Sequence, residues 1–139
     1  MGDAGGMSAA ARPLSRRERE TLEVLLAVDF PGVEALRAQV PGTLVTRGCD
    51  CGCPSVVLEP PADAPLAAVT TRVPVDASAI DPYGEPEALV LLFVDEGRLS
   101  YLEYAPTGDR TPARFPPVSR LVEVAPARDP DDEPEADDF

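Results

Sequence analysis

The feature that most constrains the fold is an apolar run that meets a turn and then a second, nearly apolar run. Residues 88–94 read Ala-Leu-Val-Leu-Leu-Phe-Val, Asp95-Glu96-Gly97 follow, and Arg98-Leu99-Ser100-Tyr101-Leu102-Glu103-Tyr104 comes next. The first run is far shorter than the roughly 20 residues that span a bilayer. Apolar on both faces, it fits a strand in the middle of a sheet. Gly97 can take the left-handed conformation that closes a three-residue hairpin loop. The chain must therefore supply other strands to flank this hairpin and something to cover a face.

The cover comes from upstream. Ser15 and Glu18 fit a capping box, in which the hydroxyl accepts from the third helical amide and the carboxylate reaches back to the cap. Leu22, Leu25 and Leu26 then fall on one helical face, and the helix is expected to run to Phe30-Pro31, because proline disfavours helical geometry in the residue before it. Gly32 precedes a second short helix with Val33, Leu36 and Val40 in phase, ended by Pro41-Gly42. Beyond it the period becomes two. Thr43 to Arg47 and Ser55 to Glu59 read as short strands. Ala67 to Val75 reads as a strand whose Pro74 puts it at an edge. Asp76 to Pro86 reads as a loop carrying Pro82-Tyr83-Gly84, and Arg120 to Val124 as a last strand or turn.

Helices followed by hairpin-linked strands, with no helix between strands, predict an α+β domain. The expectation is an N-terminal helical pair packed on one face of an antiparallel sheet of about five strands. It occupies residues 13–125, between a disordered N-terminus at 1–12 and an acidic disordered tail at 126–139. A single domain of this size buries enough surface to need no staples.

Charge limits the partners. The net charge is −13, and seven acids with no base lie between Asp129 and Phe139, leaving −6 on the rest. That balance speaks against holding nucleic acid through its phosphates, and the absence of a long apolar run speaks against a membrane. Met1 to Met7 lacks the basic-then-apolar order of a signal peptide, so a cytoplasmic location is the default reading. There is no histidine. Acid–base chemistry would fall to carboxylates or tyrosines, and no glycine-rich phosphate loop or nucleophile elbow is present, so no enzyme and no cofactor is expected.

All three cysteines lie in residues 49–53, Cys-Asp-Cys-Gly-Cys. One reading is a hairpin connection, with Gly48 and Gly52 supplying unusual dihedrals and the thiols packing as small hydrophobes. The alternative is a thiol or metal site in which Cys49, Cys51 and Cys53 converge with Asp50 as a fourth ligand. Against it, a structural zinc site usually leaves two or more residues between cysteines. Asp50 also opposes thiolate formation, although Arg47 favours it. Glu103 interrupts the apolar run on the second strand of the hairpin. With Tyr101 and Tyr104 it is the candidate for a binding face that meets a cationic group.

Taken in order, Glu18 to Leu26, Asp29-Phe30-Pro31-Gly32, Leu36-Arg37-Ala38-Gln39, Cys51-Gly52-Cys53-Pro54-Ser55-Val56 and Leu91 to Gly97 with Leu99 and Leu102-Glu103 resemble small uncharacterised actinobacterial proteins with this element order. The chain is also faintly similar to the small α+β immunity proteins that accompany bacterial toxins. The first resemblance implies a fold and a habitat. The second implies a non-enzymatic protein-binding module whose partner is basic, such as a toxin nuclease.

Overall fold

A computed structural model describes residues 11–48, 52–69 and 71–127. In chain order the elements are β1 (Arg12–Pro13), α1 (Arg16–Leu25), α2 (Val33–Gln39), β2 (Leu44–Gly48), β3 (Val56–Glu59), β4 (Val75–Ile80), β5 (Pro86–Asp95), β6 (Arg98–Pro106), a 3-10 turn (Val118–Arg120) and β7 (Leu121–Pro126). The fold is α+β with an antiparallel sheet, but among the described residues the sheet has seven strands rather than five, in the order β1-β2-β3-β6-β5-β4-β7. The β5–β6 hairpin sits at its centre, as an apolar run demands.

The capping box forms as the sequence predicts. Ser15 Oγ accepts from the Glu18 amide at 3.1 Å, and Glu18 Oε1 accepts from the Ser15 amide at 2.8 Å. Arg12 then grips the same carboxylate with two guanidinium nitrogens at 2.9 and 2.8 Å. Burial alone would push the Glu18 carboxyl up, but Arg12 and the Ser15 amide together hold it below its ordinary range. This clamp, with the β1–β2 pairing of Arg12 with Val45 and Pro13 with Leu44, places Arg12 in the domain rather than in the terminal segment expected to end at residue 12. At the other end, Pro126 pairs with Val75, so β7 runs past the expected boundary at 125.

Helix α1 stops at Leu25, earlier than Phe30-Pro31, because its last turn finds another partner. Arg37 of α2 donates from Nε to the Leu26 carbonyl at 2.7 Å and from Nη2 to Asp29 at 3.1 Å, closing the corner between the helices. Gly32 at that corner has φ +89°, and a Cβ there would lie 2.9 Å from Val69 Cγ1, so the position has no room for a side chain.

Leu22, Leu25 and Leu26 join Val33 and Leu36 in one cluster with Val56, Leu58, Val75, Ala77, Ala79, Val90, Leu92, Leu99 and Leu102. Helix α1 lies against β4 and β7, and α2 against β6. The inward positions of β4 are Val75, Ala77 and Ala79. Two small alanines leave the space that the leucines of α1 fill. Buried Gln39 fastens α2 to the centre of the sheet: its Nε2 donates to the carbonyls of Pro65 and Gly97 at 2.7 and 2.8 Å, and its Oε1 accepts from the Leu99 amide at 2.8 Å.

Two readings of the middle of the chain are corrected. Residues 67–74 form no strand among those described, and the segment expected as a loop from Asp76 to Pro86 supplies β4 instead. Pro74 stands just before that strand, where its missing amide disrupts no ladder. The loop proper is only Asp81 to Glu85. Asp81 Oδ1 accepts from the amides of Tyr83 and Glu85 at 2.8 and 2.9 Å, and Gly84 takes φ +87°. Likewise the β5–β6 loop is two residues, not three: Asp95 pairs with Arg98, and Glu96 and Gly97 have φ +54° and +78°, the signs of a type I′ turn.

Candidate functional site

With the helices on one face, alternation along the strands decides what the other face carries. In β5 it turns Leu89, Leu91 and Phe93 outward, and in β6 Tyr101 and Glu103. The register aligns them in rows. Phe93 stands beside Tyr101, which stands beside Val57 and then Arg47. The next row runs Asp76, Leu91, Glu103, and a third runs Val122, Ser78, Leu89, Ala105.

The face is apolar at its middle. The Phe93 and Tyr101 rings meet edge to face at 5.9 Å between centroids. Arg72 lies over the Phe93 ring, 4.9 Å from its centroid, and pairs with Asp95 at 2.8 Å. Leu89 is 43% exposed. In the central row two carboxylates bracket Leu91 across three strands. Two strand spacings put Asp76 and Glu103 about 10 Å apart.

Neither carboxylate has a hydrogen-bond or ion-pair partner among the described residues. Asp76 is half-buried, and burial alone pushes its carboxyl above the ordinary range. A carboxylate left without a partner on a largely apolar surface costs stability and attracts a cation. Charge, apolar area and rigidity thus coincide on one patch of sheet.

Among the described residues, both edges of the sheet are poor templates for another strand. At one side β1 is two residues long and ends in Pro13. At the other, β7 breaks register between Asp76 and Ser78, with Glu123 at φ +56°, and it ends at Pro126. Short edges, proline and bulges discourage strand addition.

Of the three face candidates read from the sequence, Tyr101 and Glu103 share this surface. Tyr104 does not. One residue beyond Glu103, it points into the core, 3% exposed, with its ring 6.3 Å from that of Phe115 and its hydroxyl donating to Glu87 Oε2 at 2.9 Å. Burial, and then Glu87, push its pKa up to about 12, so it stays a donor at any ordinary pH. Its place beside Tyr101 and Glu103 is corrected on that ground. Asp76 gives no such signal in the sequence, where its segment reads as a loop.

Cys49, Asp50 and Cys51 lie outside the described residues, and Cys53 is half-buried. The segment that holds them links β2 to β3, which are antiparallel neighbours with Gly48 opposite Val56. No helix among the described residues is long and apolar enough to cross a membrane. No protein-family profile, no curated protein and no solved structure matches the chain.

Proposed function

We propose that this chain is a non-catalytic binding module that receives a protein partner on the outer face of its sheet. The partner presents an apolar segment flanked by cationic side chains. The observation that carries the reading is the row Asp76, Leu91, Glu103, set among Leu89, Phe93 and Tyr101. An apolar centre supplies area, and two unpartnered carboxylates supply sign. Seven strands about 4.8 Å apart span about 29 Å. The face therefore offers several hundred Å², approaching the roughly 800 Å² that one partner gives to a standard interface.

The blunted edges favour docking over the face rather than by strand addition. A net charge of −13 favours a basic partner and speeds its approach. An immunity-like role, covering a basic toxin, is the specific form of this reading.

Selection of peptides from a random display library against the full chain tests it. The expected binders combine arginine or lysine with leucine or aromatic residues and lose binding to Leu91→Ser. Binders that are acidic, or that bind Leu91→Ser as well as the wild type, would overturn the assignment.

A further inference from the structure

At one end of the sheet, where β5 begins and β7 begins, a pocket is walled by arginines. Its volume is 340 Å³, and Arg17, Arg114 and Arg120 line it together with Glu87 and the segment Pro112 to Pro117. All twelve bases of this acidic chain are arginines, and three of them meet here. Arg17 donates from Nη1 to the Phe115 carbonyl at 2.7 Å, which fixes its guanidinium and leaves its other donors available. Arg114 and Arg120 have no hydrogen-bond or ion-pair partner among the described residues.

The wall is rigid. Phe115 is anchored in the core, 2% exposed, against the Tyr104 ring, and Pro112, Pro116 and Pro117 stiffen the chain on either side. The one carboxylate in the wall, Glu87, already accepts from the Tyr104 hydroxyl. Three guanidiniums against one lining carboxylate leave a local excess of positive charge, which Asp81, within electrostatic reach of Arg120, only partly offsets. Charges beyond about 8 Å are largely screened at physiological salt, so this excess, and not the net −13, governs what settles in the pocket.

We propose that this pocket is an oxyanion site for a phosphoryl-bearing small molecule, with Arg17, Arg114 and Arg120 as its ligands. A carboxylate has two oxygens, which one guanidinium fork satisfies. Three forks call for the larger set of oxygens on a phosphoryl group. The volume is at the lower end of the range for small-molecule sites, which suits a compact ligand.

Calorimetric titration of the full chain with inorganic phosphate, pyrophosphate and acetate tests the site. The expected result is saturable one-to-one binding of pyrophosphate with a Kd below about 1 mM. Arg114→Gln and Arg120→Gln each weaken it by about tenfold. Arg47→Gln, on the sheet face, leaves it unchanged. In the wild type, pyrophosphate shifts the amide resonances of residues 112–120, a readout that needs no variant. The proposal is overturned by no saturation up to about 10 mM, by equal weakening in Arg47→Gln, by shifts centred elsewhere, or by acetate binding as tightly as phosphate.

Discussion

Replacing Gln39 by leucine removes the side-chain hydrogen bonds that tie α2 to the β5–β6 turn and to the segment before Ala67. The side-chain volume is nearly kept, so little of the effect is a cavity. The cost lies in the backbone groups it leaves behind. The Gly97 carbonyl keeps a bond from the Ala67 amide at 2.9 Å. The Leu99 amide loses its Gln39 partner in a buried setting, whereas the carbonyl of exposed Pro65 can turn to water. At about 2 kcal/mol for one buried group left unmade, the loss is about 2 kcal/mol. For roughly 110 folded residues, with an unfolding entropy near 2.1 cal/mol/K each, that lowers Tm by about 9 °C. Gln39→Glu should be at least as harmful at neutral pH, because an ionised carboxylate would face two carbonyls. Thermal unfolding followed by circular dichroism measures both. A fall of less than about 4 °C for Gln39→Leu would show that the clamp carries no such weight.

Asp76→Asn should raise stability at pH 7 by roughly 0.5 kcal/mol, a figure kept small because half of the residue meets solvent. Since burial raises the carboxyl's pKa in the folded state, acidification relieves its cost, so the advantage of the variant shrinks as pH falls; urea unfolding at two pH values reads this, and an equal advantage at both would contradict it. Glu18 behaves in the opposite sense. Its lowered folded pKa gives stability that is present above its unfolded value and lost as pH falls through the folded one, so Arg12→Ala should cost about 2 kcal/mol at pH 7 and progressively less in acid. Gly97→Ala should cost about 3 kcal/mol, since φ is +78° and the new Cβ would meet the Ala67 carbonyl oxygen at 2.8 Å; a change under about 1 kcal/mol in denaturant titration would refute the close approach.

The helical pair and the central hairpin were legible because each rests on local signals. The capping box at Ser15 and Glu18, the leucine spacing of α1, and an apolar run before a turn all act over a few residues. Strand β4 was not legible. Asp-Ala-Ser-Ala-Ile has weak strand propensity and little hydrophobicity, and it becomes a strand because β5 and β7 pair with it on either side. With it went Asp76, half of the carboxylate pair. The displacement of Tyr104 from the outer face, by contrast, was available from the period of two alone: 101 and 103 share a face, and 104 cannot join them. The arginine pocket has no sequence signal, because Arg17 and Arg114 stand 97 positions apart and meet only through the bond from Arg17 to Phe115.

The proposed recognition of an apolar, cationic segment by the outer face of the sheet rests on Asp76 and Glu103 flanking Leu91. Amide NMR of the full chain tests it most directly, during titration with an amphipathic peptide of leucine and arginine and with its counterpart carrying glutamate for arginine. Shifts centred on Leu89, Leu91, Phe93, Tyr101 and Glu103 are expected with the basic peptide and none with the acidic one. Loss of the response is expected when Asp76→Asn and Glu103→Gln are combined. Shifts centred on the helices, an equal response to both peptides, or an undiminished response in the double variant would contradict the proposed recognition.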